Sequence, residues 1–152
     1  MDKENISKIF FKFFDEDLDQ TITEGVWAKK KGQYYKIDNI PFYAYLYSTD
    51  DIVEVKEDNG ELIVERLIEP SGNSTVRILF EEEQELDRIK VELSLLSCDS
   101  ETSRRSKLLA VNIPKSVTYR NVINYLESID NLQYEEACLS EHHRSQGFGG
   151  LI

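Results

Sequence analysis

Short segments in which apolar and polar residues alternate fill the first half of the chain. Alternation with a period of two places one set of side chains on a core and the other in solvent, as in a β-strand. Strands are predicted at residues 6–14, 22–30, 33–37, 42–47, 52–56 and 62–68. Asn59-Gly60 separates the last two and favours a tight hairpin, because both residues tolerate positive φ. This half is predicted to be β-rich, either a small barrel or a meander.

The period changes in the second half, where helices alternate with strands. Aliphatic residues recur at helical spacing over residues 81–97, and again after a capping residue at Ser116 or Thr118. Strands are predicted on either side of these helices, at residues 74–80, 107–113 and 133–140. The order strand–helix–strand–helix–strand indicates a ferredoxin-like layer, which needs one more strand from elsewhere.

Together the two halves predict an α+β fold for this chain of 152 residues. We expect a β-rich subdomain over residues 1–70 and a ferredoxin-like subdomain with two helices over residues 71–140. Residues 141–152 are glycine-rich and are expected to form a flexible tail. The length suits one compact unit.

Charge is the strongest compositional signal. The chain has 18 Lys and Arg against 29 Asp and Glu, a net charge of -11. Residues 50–69 contain eight acids and two bases, and so contribute more than half of that charge. An acidic surface repels nucleic acids and anionic lipids and attracts basic proteins. We therefore expect a basic protein as partner, and neither nucleic acid nor membrane.

Apolar runs, the first residues and the cysteines together predict the cellular compartment. No apolar run approaches the about 20 residues that a membrane span needs, and the first residues do not resemble a signal peptide. Cys98 and Cys138 are expected to be free thiols in a reducing compartment. These features predict a cytoplasmic protein.

One acidic cluster resembles part of a calcium-binding loop. Asp15, Asp17 and Asp19 occupy the first, third and fifth positions of that pattern. The loop also needs glycine at the sixth position and glutamate at the twelfth, where this chain has Gln20 and Val26. The segment is therefore expected to be an acidic turn between two strands.

The histidines and a nearby cysteine are candidates for a zinc site or for nucleophilic catalysis. Cys138 precedes His142 and His143 closely enough to suggest zinc ligands, but a glycine-rich tail does not hold the fixed geometry that zinc requires. Neither histidine has the neighbours of a nucleophile or a general base. We expect no metal, no cofactor, no catalytic residue and no enzymatic activity.

Tyrosines concentrate beside the acidic segment. If residues 42–47 are extended, Tyr43, Tyr45 and Tyr47 form one stripe, which is either a half-buried strand or a protein interface. The stripe is followed closely along the chain by the acidic residues 50–69. The residues predicted to bind the partner are three tyrosines and five acids: Tyr43, Tyr45, Tyr47, Glu54, Asp58, Glu61, Glu65 and Glu69.

A second hypothesis is a polar pocket between the two halves. Asp38, Asn39, Ser71 and Arg77 carry polar side chains near the predicted boundary, where they could line the site of a small molecule or an enzyme. Arg77 lies in a predicted strand, and a buried arginine needs a carboxylate partner. Asp38 or Glu24 is expected to provide it.

Several segments resemble a bacterial family known as domain of unknown function 4265. They are Glu24-Gly25-Val26-Trp27-Ala28, Ile37-Asp38-Asn39-Ile40-Pro41-Phe42, Asp50-Asp51-Ile52-Val53 and Ser71-Gly72-Asn73-Ser74-Thr75-Val76-Arg77, and the resemblance covers about residues 10–139. The chain departs from the family pattern at Asp50, where glycine is expected.

The resemblance implies no activity. Members look like small cytoplasmic proteins encoded beside polymorphic toxins, which implies an immunity role. We therefore expect a protein that is monomeric when free and neutralises a cognate toxin by covering its active or target-binding surface.

Overall fold

A computed structural model describes residues 6–148 of the chain. The first half contains five strands: β1 (Ile6–Asp15), β2 (Gln20–Lys31), β3 (Tyr34–Ile37), β4 (Ile52–Asp58) and β5 (Glu61–Glu69). They form a closed barrel in chain order. Consecutive strands pair antiparallel, and a parallel pairing of β1 with β5 closes the barrel. Of the two alternatives predicted for this half, a barrel or a meander, the structure has the barrel.

The second half is a four-stranded sheet with two main helices. Its elements are β6 (Ser74–Leu79), α1 (Glu83–Leu95), β7 (Asp99–Ser103), β8 (Leu108–Ile113), α2 (Tyr119–Glu127) and β9 (Gln133–Cys138). The strand order is β7-β8-β6-β9, and all neighbours are antiparallel. The short strand β7 lies at one edge of this sheet and was not predicted from the sequence. With two sheets and few helices, the protein is α+β and mostly β.

The β4–β5 hairpin has the turn that its sequence predicts. Asn59 and Gly60 both have positive φ, 51° and 83°, and Asp58 pairs directly with Glu61. Two positive φ values match the backbone twist of the flanking strands, which is why Asn-Gly closes such hairpins. Glu65 is the extra residue of a bulge, because the pairing shifts on either side of it.

The strand predicted at residues 42–47 does not form. This stretch consists of bends within the connection from β3 to β4, and Leu46 has a φ of 71°. Several of its main-chain groups bond to side chains instead, and the Leu46 N–H donates to the Ala137 carbonyl of the second sheet. Tyr43, Tyr45 and Tyr47 therefore do not lie on one face of a strand.

Each half buries its own apolar core. In the barrel, alternate residues of the strands point inward, including Ile9, Val26, Ile37 and Val53. In the second half, one face of the sheet packs against α1 and α2. The residues at the centre of this larger core are Val76, Ile78, Leu86, Ile89, Leu93, Leu109, Val111, Ile113, Tyr119, Val122 and Leu126.

The start of the expected flexible tail is helical instead. A short helix α3 (Glu141–His143) and a π-helical turn (Arg144–Phe148) follow β9. His143 is fully buried: its Nε2 donates to the Pro114 carbonyl at 2.9 Å, and its Nδ1 accepts from the Ser74 hydroxyl at 2.6 Å. These two bonds attach the segment to the second half. The rest of the predicted tail lies outside the described residues.

Candidate functional site

The two halves meet at the connection between β3 and β4, residues 38–51, here named the junction loop. Glu24, on β2 and only 7% exposed, holds this loop from the barrel side. Its carboxylate accepts main-chain N–H bonds from Phe42, Tyr43 and Ala44 at 2.5, 3.0 and 2.9 Å. Three donors compensate for the burial of this carboxylate.

Arg77, on β6 and 3% exposed, holds the junction loop from the opposite side. Its guanidinium donates to the carbonyls of Tyr43 and Ala44, lies 4.9 Å from the ring centre of Tyr45, and is 3.5 Å from the Glu135 carboxylate. Burial lowers the pKa of Arg77, and the nearby carboxylates oppose this shift.

The ion-pair partner of Arg77 differs from the prediction. Glu135 makes the direct pair, whereas Glu24 was one of the two predicted partners and instead bonds the same loop. Asp38, the other predicted partner, is exposed. Arg77 is therefore a structural clamp.

Asp51 belongs to the junction rather than to the acidic surface. Its side chain is buried and accepts N–H bonds from Ser48 at 2.9 Å and Ser71 at 2.8 Å. Burial raises its pKa, and the two hydrogen bonds act in the opposite direction. The Ser48 hydroxyl in turn bonds the Thr75 hydroxyl of β6 at 2.7 Å. One of the eight acids counted in residues 50–69 is thus unavailable to a partner.

Further residues of the quoted segments form the same junction. Asn39 accepts the Trp27 N–H at 2.6 Å, and Asn73 donates to the Thr49 carbonyl at 3.0 Å. Asp50 has a φ of 72°, a left-handed conformation that favours glycine. A glycine, as expected from the family resemblance, would adopt this conformation more readily than Asp50.

A cleft of about 370 Å³ opens beside the junction. The barrel side contributes Asp38, Asn39, Ile40 and Thr49, and the sheet contributes Asp99, Ser100, Glu101 and Asn112. Two of the four residues predicted for a polar pocket, Asp38 and Asn39, therefore lie at a cleft. The other two, Ser71 and Arg77, bond within the junction and do not line it.

Asn112 on β8 and the two acids of β7 were not among the predicted site residues. Asn112 is 7% exposed, and its Oδ1 has no hydrogen-bond partner among the described residues. A polar residue inside the apolar segment of β8 was the available sequence signal. The position of Asp99, directly opposite Asn112, depends on a strand that the pattern did not predict.

The five acids predicted at the hairpin differ in their surroundings. Glu54 pairs with Arg66 at 2.7 Å, and Glu61 pairs with Lys12 at 3.3 Å. The remaining three are exposed, and within residues 6–148 no Lys or Arg nitrogen lies within 4.0 Å of their carboxylates: Asp58, Glu65 and Glu69.

The three predicted tyrosines divide between the halves. Tyr43 and Tyr45 are 38% and 54% exposed, and their hydroxyls bond Ser106 and Glu135 of the second half. Tyr47 is half-buried and packs against Phe11 of the barrel, with ring centres 4.8 Å apart. Only the first two present large exposed aromatic surfaces.

The metal patterns considered in the sequence lie in structural positions. Asp15 accepts the N–H of Leu18 in the β1–β2 turn at 3.1 Å, and His143 bonds as described above. Within the described residues, no group of three or more His, Cys, Asp or Glu is arranged to hold a metal ion. Cys98 and Cys138 are free, and burial raises the pKa of the Cys98 thiol to about 12.

The segments that form the junction coincide with a family match. The model of the domain of unknown function DUF4265 matches residues 24–136, about three quarters of the chain. The chain belongs to the DUF4265 family. The match begins at Glu24, the carboxylate that holds the junction loop, and includes Arg77 and the residues of the cleft. The family segments quoted above thus include the contacts that join the two halves of this DUF4265 protein.

A solved structure has the same fold. It is described as a hypothetical protein from Neisseria gonorrhoeae, and it aligns with this DUF4265 chain with a TM-score of 0.69 and 25% identity. The alignment covers 88% of this chain and 95% of that chain. No curated protein matches the sequence. Among the helices of residues 6–148, none is long and apolar enough to span a membrane.

Proposed function

We propose that this DUF4265 protein is an immunity protein that binds a cognate bacterial toxin in the cytoplasm. The acidic hairpin, defined here as β4, β5 and their turn, contacts a basic surface of the toxin and occludes its active or target-binding site. The observation that supports this function is the unbalanced charge at the hairpin tip, where Asp58 and Glu61 are held directly opposite each other.

Like charges at directly opposed positions destabilise a hairpin. Lys12 lies near only one of the two tip carboxylates, that of Glu61. A local arrangement that opposes folding is typical of a functional surface, because natural sequences otherwise tend to avoid such conflicts. A basic partner would relieve the repulsion and gain from electrostatic attraction during association.

Tyr43 and Tyr45 are the aromatic contacts in this proposal. Both are exposed, and both are held by hydrogen bonds, so little conformational entropy is lost when a partner covers them. Tyr47 is packed against the barrel and supports the junction loop. The aromatic contribution therefore rests on two tyrosines.

The test is the binding of a basic toxin domain encoded beside this gene, measured across a salt series. The double variant Glu61→Lys/Glu65→Lys should associate more slowly than the wild type, and its association rate should depend less on salt, because electrostatic steering is removed. The matched control, Glu81→Lys/Asp87→Lys, makes the same charge change at exposed positions of the second half. Equal slowing in both variants, or no salt dependence in the wild type, would contradict a role for the hairpin.

The proposal also includes a more specific fold for the second half. We infer a ferredoxin-like layer, since the element order from β6 to β9 is strand–helix–strand–strand–helix–strand. The helices cover one face of its sheet, and the junction loop contacts the other through Arg77. In this proposal the protein is a monomer when free and acts without a cofactor.

A small-molecule-binding protein is the second candidate function. The cleft beside the junction favours it, since ligand sites commonly form where two structural units meet. Its volume is within the range of ordinary ligand pockets, about 300–1,000 Å³. Of the polar residues first assigned to such a pocket, this candidate retains Asp38 and Asn39.

A further inference from the structure

The cleft between the junction loop and the edge strand β7 contains a buried polar atom without a hydrogen-bond partner among the described residues. Asn112 lies among its lining residues, more than nine-tenths buried, with an amide oxygen that no described residue bonds. Leaving a buried polar atom unpaired costs about 1–3 kcal/mol. A ligand or an ordered water that enters the cleft can complete the hydrogen bonding of this atom.

Three carboxylates accompany this amide. Asp99 is paired with Asn112 in the strand register, Glu101 follows two residues later on the same side of β7, and Asp38 faces them from the junction loop. In the described chain, no Lys or Arg nitrogen lies within 4.0 Å of these three carboxylates. Among residues 6–148, no Lys, Arg or His lines the cleft. The negative charge is therefore uncompensated.

The ligand that fits is a cation with several N–H donors. An anion would be repelled by the carboxylates, and the side chains are not grouped as metal ligands. A guanidinium presents five donors in a planar fork and an ammonium presents three, which suits carboxylates and a buried amide oxygen. We propose that the cleft binds a guanidinium or primary ammonium group, with Asp99, Glu101 and Asn112 as its principal contacts.

Two sources can supply this group: a free amine, or a basic side chain of a protein. Agmatine represents the first source, and the capped tripeptide acetyl-Gly-Arg-Gly-amide represents the second. This site is separate from the acidic hairpin and does not depend on the immunity role. Both ligands can be titrated into the full-length protein by NMR and calorimetry.

At least one of the two ligands should shift the backbone amides of Asp99, Glu101 and Asn112, and the tighter ligand identifies the source. Tetramethylammonium carries the same charge without N–H donors and should bind much more weakly. The double variant Asp99→Asn/Glu101→Gln should raise the Kd about tenfold or more. The matched variant Glu81→Gln/Asp87→Asn should leave the Kd unchanged.

Asn112→Val separates binding from folding. Because the variant removes an unpaired buried polar atom, it should be at least as resistant to urea as the wild type, and yet bind the cation about tenfold more weakly. The proposal is overturned if neither ligand binds, if tetramethylammonium binds as well as they do, or if the two cleft variants bind like the matched control.

Discussion

The junction and the acidic hairpin both depend on carboxylates, but the two regions place them in opposite environments. At the junction, Glu24 and Asp51 are buried, and each accepts two or more main-chain N–H bonds. At the hairpin, Asp58 is exposed, faces Glu61, and has no cation within 4.0 Å among the described residues. A carboxylate therefore has a structural role where its oxygens accept main-chain hydrogen bonds. Where they do not, the carboxylate is available to a partner.

Variants of the junction are expected to change the stability of the protein most. Replacing Arg77 by Met removes the buried guanidinium from its pair with the half-exposed Glu135 and leaves two loop carbonyls without their donor. We expect a loss of about 3 kcal/mol in the free energy of unfolding, mainly from the two unbonded carbonyls, measured by urea denaturation. Glu24→Ala should destabilise to a similar extent, because three main-chain N–H groups lose their acceptor.

The hairpin provides the control for this effect. Glu54→Gln breaks the exposed pair with Arg66, and we expect little change in stability because exposed pairs are screened by solvent. If Glu54→Gln destabilised the protein as strongly as Arg77→Met, the distinction between the two regions would not hold.

The second effect tests whether the helical segment after β9 belongs to the structured unit. Burial is the main cause that lowers the pKa of His143 below its ordinary value of 6.5. The unfolded chain therefore binds the proton more readily, and stability should fall as pH decreases below about 6.5, down to the lowered pKa. His143→Gln should remove this part of the pH dependence in urea titrations between pH 7 and pH 5.

An unchanged pH profile in His143→Gln would show that the segment contributes nothing to the folding equilibrium. His142, which is exposed and adjacent, provides the matched control. His142→Gln should keep most of the wild-type dependence, because burial is the largest cause of the lowered pKa of His143.

A smaller effect, of opposite sign, is expected at the hairpin tip. Asp58→Lys replaces a like-charged pair with an opposite-charged pair across the strands and should stabilise the protein by about 0.5 kcal/mol. The same variant should bind a basic toxin more weakly. A gain in stability without a loss in binding would mean that the repulsion has no role in recognition.

The smallest effect concerns the turn before β4. Asp50→Gly removes a non-glycine residue from a φ of 72° but also removes the 3.8 Å contact with Lys36 and adds freedom to the unfolded chain. Because these contributions oppose each other, we expect a gain below about 0.5 kcal/mol in thermal or urea unfolding. Asp50→Ala keeps the strain and loses the contact, so it should be less stable than the wild type.

Most of the strands were predictable because their periodicity is local. The barrel strands, the Asn-Gly turn and both main helices are encoded by spacings within a few residues. Strand β7 was missed because Asp99–Ser103 has no apolar alternation. As an edge strand, it needs none to remain in place beside β8.

The candidate sites were less predictable than the elements. Tyrosine alternation suggested a strand at residues 42–47, but Glu24 and Arg77 bond that backbone and hold it in bends. The cleft combines two residues predicted for a pocket, Asp38 and Asn39, with Asn112 and the acids of β7. Their convergence depends on how the two halves meet.

The sequence by itself determined that the chain is α+β and that a hairpin carries much of the negative charge. It also determined that the segments resembling the family occur in the family's order. Which carboxylates are buried, which are exposed and which face a cleft was decided only by the tertiary structure. The reason is physical: hydrophobic periodicity shows only which face of an element is apolar. The partners of Glu24 and Asp51 come from distant parts of the chain, and the Asn112 amide oxygen has none among the described residues.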